Sequence, residues 1–472
     1  MNDNSELQSN LKVKMNSKSM GLKLIVVCAL ALLMMIPALF VYSLVAERTQ
    51  RATEVTDEIS GLVGGRQSFL GPTLVIPYRV PLPEVKGATV VSATLDHGVY
   101  IVFPVLAEAT VKTHTEERHR SLFKVPVFQA ELSLNATFDL TGVPSAAPSG
   151  AVLDWNRAEI VVGVSDARGA QADATMSINA KMVTLVPAEN GDEISQDDRH
   201  GLTFFSISAG EAAQPNAHFK VTSSLHFSGA QRIAVMAYGK TTHLSMEGDW
   251  PNPSFDGGFL PVNRSISPQG FTGEWLVPFI ARGVRPEGRS NLISGLDANA
   301  LGVTFVELAD PYQSVNRSLK YALLFLGLLF LSYFVFEVTT GKRVHPAQYL
   351  LVGVAQIIFY LLLLSFAERI GFDWGFLLAG AATVILLSAN AGWIFCSRLQ
   401  GYRALICFSL LYALIYLLLR LEDNALLVGA IASFLAVAAV MYFTRKIDWY
   451  SSLPSAVAET HEAITVVPKE TV

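Results

Sequence analysis

The chain has 472 residues, of which 51% are hydrophobic and only 16% charged, with a formal net charge of −5. Charge this sparse, against roughly a quarter in an ordinary soluble domain, argues for a membrane module beside one or two soluble domains. The small negative balance gives no reason to expect a nucleic-acid partner.

A helix crossing the hydrocarbon core needs about 20 mostly apolar residues, because each adds about 1.5 Å of rise. The first such run is Leu24–Val45, broken only by Pro37, which a membrane helix tolerates. A cleavable signal would have an apolar core of roughly 7–15 residues followed by a small-x-small site. This run is longer, and Leu44-Val45-Ala46 puts a bulky residue where a small one is wanted. A retained anchor is therefore expected at 21–46, after a short leading segment at 1–20.

Residues 47–319 are water-compatible and read as β. After a polar helical stalk at Glu47–Val63, period-two alternation marks half-buried strands. It is clear in Leu132, Leu134, Ala136, Phe138 and Leu140, and again in Phe219, Val221, Ser223, Leu225 and Phe227. Further β-branched runs are Thr73–Val80, Thr89–Leu95, Val99–Leu106, Ile160–Val164, Met182–Val186, Ile233–Ala237 and Val303–Leu308. The expectation is an antiparallel β-sandwich-like domain in two lobes. Residues 130–142 and 217–229 align without a gap, each followed later by an Asp-Trp pair. An internal duplication accounts for that match, and so does the likeness of any two amphipathic strands ending in a Gly turn.

Five more apolar runs follow at Tyr321–Phe336, Tyr349–Ala367, Trp374–Cys396, Ala404–Leu419 and Ala425–Phe443. They predict a five-helix transmembrane bundle over 320–444 and a tail at 445–472, for six spans in an α+β membrane protein. Lys and Arg in the short flanks set the orientation. Lys12, Lys14, Lys18 and Lys23 precede the first span; Lys342 and Arg343, Arg398 and Arg403, and Arg445 and Lys446 follow spans two, four and six. Those four segments share a side in a six-span chain, so both termini are expected in the cytoplasm and 47–319 in the periplasm. All three cysteines, Cys28, Cys396 and Cys407, fall in predicted spans. The exported domain therefore has no disulfide and must fold on its buried core alone.

Motifs that carry chemistry are scarce. His114-Thr-Glu-Glu-Arg-His119 holds metal-ligand types, but its histidines are five apart, where a helical zinc site needs four; a solvated charged hairpin turn is the better reading. No phosphate-binding, nucleophile-elbow or dinucleotide pattern occurs, so no catalytic residue, cofactor or metal is expected. Within the spans the central polar residues are neutral (Gln356, Ser365, Ser388, Asn390), and Gln356 and Asn390 read as hydrogen bonds between helices. Glu337, Glu368 and Arg420 read as solvated or snorkelling groups at span ends.

Three exported stretches depart from plain strand and turn. Val164–Gly169 sets Asp166 and Arg168 two apart at a strand end. Trp250–Pro261 packs Trp250, Phe255 and Phe259 among Pro and Gly, with Arg264 just beyond. Asp310–Arg317, containing Tyr312, leads into the second span. Each reads as a rigid recognition loop or coupling hinge, or as a loop folded over the end of the sandwich.

These stretches, with Phe334-Val-Phe-Glu337, His345-Pro-Ala-Gln-Tyr-Leu-Leu-Val-Gly353, Phe359–Ser365, Lys320-Tyr-Ala322 and Thr444–Ser451, resemble the CreD family of bacterial inner-membrane proteins in sequence and order. The resemblance runs from about residue 20 to 452. It implies a cell-envelope integrity protein of the Gram-negative inner membrane, tied to a two-component stress response and to β-lactam susceptibility, and it carries no catalytic residues. Together with the absent catalytic motifs it implies a non-enzymatic protein in the lipid bilayer, with an envelope protein or a cell-wall-related molecule as partner. The interaction or coupling candidates are Asp166, Arg168, Trp250, Phe255, Phe259, Arg264, Tyr312 and His345. The alternative is a lipid or small-solute transporter using the C-terminal bundle.

Overall fold

A computed structural model describes residues 20–80, 96–120, 123–143, 150–195, 201–306, 311–420 and 425–445. The predicted strand Thr89–Leu95, the end of Val303–Leu308 and the Lys446–Ser451 motif lie outside the described residues. The chain forms two compact units, Met1–Thr49 with Ala309–Val472, and Gln50–Leu308.

In the first unit the apolar runs are helices. Among the described residues five are long and apolar enough to cross a membrane: Lys23–Leu62, Ala322–Thr340, Pro346–Ile370, Phe372–Ile394 and Arg398–Arg420. A further helix, Ala425–Thr444, occupies the last run. The N-terminal helix is interrupted at Met34, three residues before Pro37, whose missing N–H leaves the Leu33 carbonyl without its usual donor. Gly341 (φ 67°) closes Ala322–Thr340 in the left-handed conformation, which glycine adopts without steric cost. Side-chain hydrogen bonds then join the helices. Tyr412 donates to Gln356 Oε1 at 2.6 Å, Tyr333 to the Leu387 carbonyl at 2.8 Å, and Asn390 to Tyr333 Oη at 3.3 Å. In an apolar medium such bonds supply the specificity that hydrophobic burial does not.

The second unit is built from two sheets. Among the described residues one has ten strands, running from edge strand Pro253–Gly257 through Ala300–Phe305, Arg232–Met236, the central Gln67–Val80, Glu159–Val164 and Thr203–Ser208 to Val186–Pro187. The other has eight, in the order Asn263–Ser267, Gly270–Val277, Thr241–Gly248, Leu106–Arg120, Phe123–Asp139, His218–Ala230, Thr175–Ile178 and Lys181–Thr184. Two expectations need correction. The sheets are not wholly antiparallel, because 67–80 pairs in parallel with 232–236, and 106–120 with 241–248. Nor are there two lobes: buried residues from both sheets form one continuous cluster, from Phe69 to Phe305.

The reason for the single core lies in how rings cross between the sheets. Phe69 meets Phe227 edge-on at 5.4 Å, and Phe128 meets Phe305 at 5.3 Å. Tyr238, fully buried, donates to the Asn135 carbonyl at 2.8 Å. Its ring lies so close to Gly71 that a Cβ there would meet it at 2.4 Å, and at this point the pairing of 67–80 with 159–164 shifts register between Leu70 and Thr73. The two look-alike strands are antiparallel neighbours, with Ala130 opposite Phe227 and Phe138 opposite Phe219. Both turn alternate positions to one core. Residues 50–62 of the long helix belong to this unit, where Val55 and Ile59 pack against Val125, Val127 and Ala230.

Candidate functional site

The aromatic stretch at 250–261 turns its rings inward. Trp250 is buried and donates Nε1–H to the Val306 carbonyl at 3.1 Å, its ring edge-on to Phe305. Phe255 sits in strand Pro253–Gly257 against Phe271 and Trp275. Phe259 packs on the same cluster, and its carbonyl accepts from Trp275 Nε1 at 3.0 Å. Asp256, between them, takes Arg232 at 2.8 Å and the Thr304 hydroxyl. These three rings are brought together, as the cap of the core.

What the segment leaves in solvent is its continuation. Leu260, Val262 and Ile266 are 65%, 69% and 51% exposed, and Leu276, Phe279 and Ile280 beside them are also exposed. Asn263–Ser267, which carries the exposed Arg264, is the outermost strand of its sheet, paired on one side with Gly270–Val277. A groove of about 410 Å³ runs beside it, lined by Ser265, Ser267, Thr272, Lys112, Glu247 and Asp249. The Lys112–Glu247 pair (2.8 Å) is part of that lining, and its hydrogen bond and charge hold the lysine pKa above its ordinary value. His114, on the long hairpin, pairs through Nδ1 with Asp249 at 2.5 Å. Among the described residues no group of three or more His, Cys, Asp or Glu is placed to hold a metal ion.

Asp166 and Arg168 meet each other. The carboxylate accepts from the Arg168 amide at 3.0 Å and from its guanidinium at 2.6 and 3.0 Å, and these bonds pull the Asp166 pKa below the usual carboxylate range. Gln67 Nε2 anchors the same turn through the Asp166 and Gly64 carbonyls, both at 2.9 Å. The pair therefore fixes a short 3-10 turn, with the arginine side chain exposed at the surface.

Tyr312 and His345 lie in the helical unit, at opposite ends of Pro346–Ile370. The Tyr312 hydroxyl donates to Glu368 Oε1 at 3.1 Å. His345 Nδ1 accepts from the Ala347 amide at 3.2 Å and so caps the helix N-terminus ahead of Pro346, a position where proline's missing N–H costs nothing.

Two buried charged groups stand outside what the sequence analysis expects, one expected in solvent and the other not singled out. Glu337 is not a solvated span end: it is 2% exposed and contacts Lys23 Nζ. Its Oε1 also accepts the Val344 amide, and its Oε2 the Tyr349 hydroxyl, both at 3.0 Å. Lys23 donates in addition to the Val344 carbonyl at 2.8 Å. The signal in the sequence is an acid set within the apolar run Phe334-Val-Phe-Glu-Val338. Arg282, in the second unit, is also 2% exposed. It donates to the Gly239 carbonyl at 3.1 Å and stacks over Phe103, and burial pulls its pKa down to about 10. Nothing in its local sequence announces that burial.

The family model described as "Inner membrane protein CreD" matches residues 19–450. The "Inner membrane protein CreD" of Escherichia coli (strain K12) is 30% identical over 434 residues, covering 90% of this chain and 92% of the relative.

Proposed function

The chain belongs to the CreD family of inner membrane proteins, and from that premise we propose that it is a non-enzymatic envelope factor whose β domain captures a periplasmic partner. In this reading both termini are cytoplasmic, 47–319 stands in the periplasm and the helices anchor it. The observation that carries the proposal is the edge strand Asn263–Ser267, paired on one side only among the described residues, with Leu260, Val262 and Ile266 exposed around it. An open edge offers backbone N–H and C=O groups for strand addition, and apolar side chains beside it add affinity. The partner class that fits is an envelope protein presenting an extended segment.

The test is a pull-down from detergent-solubilised envelopes, comparing wild type with Val262→Asp/Ile266→Asp. Both positions are exposed, so the fold should be unaffected while specific partners are lost. Identical partner profiles would remove the edge from consideration. Trp250→Ala and Phe255→Ala belong in the same experiment, as variants that act through the core instead.

A second reading, passage of a lipid or small solute through the bundle, draws on the buried polar cluster of Gln356, Tyr360 and Tyr412. Gln356→Leu/Asn390→Leu tests it, and full envelope function in that variant rules out a polar path there.

A further inference from the structure

Helices Phe372–Ile394 and Arg398–Arg420 leave a continuous trough between their exposed faces. One stretch, about 650 Å³, lies between Trp374, Leu377, Ile385 and Leu405, with Gly380 and Tyr412 in its lining. A second stretch, about 610 Å³, shares Ile385 and Leu405 and continues to Trp393, Arg398 and Tyr402. Short side chains line both helices, and at Gly392 and Gly401 they let the two backbones pack closely. Gly380, Ser388 and Gly392 on one helix, and Gly401, Ser409 and Ala413 on the other, recur at multiples of four and so share a face. Its walls are apolar and open to the hydrocarbon of a bilayer.

One end is charged. Asp373 and Arg420 pair there, with side chains about half exposed (48% and 55%). The Tyr416 hydroxyl donates to Asp373 at 3.0 Å and accepts from Arg420 Nε at 3.3 Å. Trp374, 65% exposed, stands at the same end, at the depth where amphipathic rings meet headgroups. A guanidinium has five donors, so Arg420 keeps N–H groups for a phosphate oxygen after Asp373 and Tyr416 are satisfied. Asp373 supplies the complementary acceptor for an ammonium.

We propose that this trough is a phospholipid site, with the acyl chains between the two helices and a zwitterionic phosphoethanolamine headgroup across Arg420, Asp373 and Tyr416. The occupant follows from charge complementarity. A positive and a negative group side by side at the mouth match a headgroup that carries both signs, and the apolar trough below matches its chains. The site lies within the helical unit and is independent of partner capture by the β domain.

Native mass spectrometry of the full chain in detergent, supplied with phosphatidylethanolamine or phosphatidylglycerol of identical acyl chains, reads the site directly. Free phosphoethanolamine serves as the headgroup-only arm. Wild type should retain one phosphatidylethanolamine in preference to phosphatidylglycerol, and should not retain the free headgroup. Ala381→Phe/Ala413→Phe fills the trough from two exposed positions and should lower retention of both lipids about tenfold, a difference of about 1.4 kcal/mol. Asp373→Asn should abolish the preference while lipid is still held. Ser409→Leu is a milder filling variant should the double one lose its native size-exclusion profile. Unchanged retention in a filled trough overturns the proposal. So does efficient disulfide cross-linking of two copies through Ser409→Cys in membranes, since the trough would then hold a second copy.

Discussion

Replacing Glu337 by Gln tests whether a buried ion pair ties the N-terminal span to the helix that follows the β domain. Glu337 is 2% exposed, and the Lys23 side chain keeps 23% of its surface. Removing the carboxylate charge leaves the ammonium without its ion-pair partner, held by the Val344 carbonyl, whereas Gln keeps one acceptor oxygen for the Val344 amide and sets its NH2 against the Tyr349 hydroxyl, which must turn to accept. Breaking a fully buried pair by removing one partner costs about 3–5 kcal/mol. Partial exposure lets the lysine head snorkel, so about 2–3 kcal/mol is expected here. At about 2–4 °C per kcal/mol for a unit of this size, that lowers the melting temperature by about 5–10 °C.

A thiol-reactive dye reads the helical unit selectively, because all three cysteines lie there. With the exposed Cys28 and Cys396 replaced by Ala, the half-buried Cys407 reports unfolding of helix Arg398–Arg420. Lys23→Met/Glu337→Gln removes both charges and should recover to within about 1 kcal/mol of wild type, since a buried pair replaced as a whole is close to neutral. A melting temperature for Glu337→Gln within about 1 °C of wild type would refute the reasoning, as would a double variant no better than the single one.

Three further outcomes follow from the β unit. Trp250→Ala empties a core site and frees the Val306 carbonyl, so thermal melts of the full chain should show a loss of about 3–5 kcal/mol. Tyr238→Phe keeps the ring against Gly71 but removes the bond to the Asn135 carbonyl, and denaturant titration should show a loss of about 1–2 kcal/mol. Two carboxylates give opposite pH signatures. The depressed Asp166 contributes stability above the ordinary Asp value near 3.9, and that contribution is lost as pH falls through its lower folded value. Burial raises the Glu159 pKa, so its ionisation lowers stability as pH rises from the ordinary Glu value through the raised one. Fluorescence-monitored unfolding across pH should show Asp166→Asn flattening the acid limb and Glu159→Gln removing the loss on the other side.

The comparison of pattern with structure is instructive at particular residues. Strand 218–230 was legible because alternation between Phe219 and Phe227 reports a single buried face, a local property of a pleated backbone. The parallel pairing of 67–80 with 232–236 was not legible. Those strands are separated by most of the β domain, and parallel neighbours carry no turn signal between them. The aromatic stretch at 250–261 was visible as unusual composition, yet composition does not tell a ring that caps a core from one that faces a partner. Register with Ala300–Phe305 decides that, by turning Phe255 toward Trp275 and leaving Val262 and Ile266 outside.

Charges divide the same way. Sequence alone located the five runs that fold, among the described residues, into helices long and apolar enough to cross a membrane, showed that no cysteine lies between the first and second runs, and marked the long intervening segment as rich in strands. Each of these follows from side-chain chemistry read along the chain, with no knowledge of its neighbours in space. Only the tertiary structure decided that Glu337 is buried against Lys23, that Arg282 lies beneath the surface on Phe103, and that a trough between two helices ends at Asp373 and Arg420. Burial and pairing are properties of segments brought together from distant parts of the chain. For that reason a residue's charge is legible in sequence, and its solvation is not.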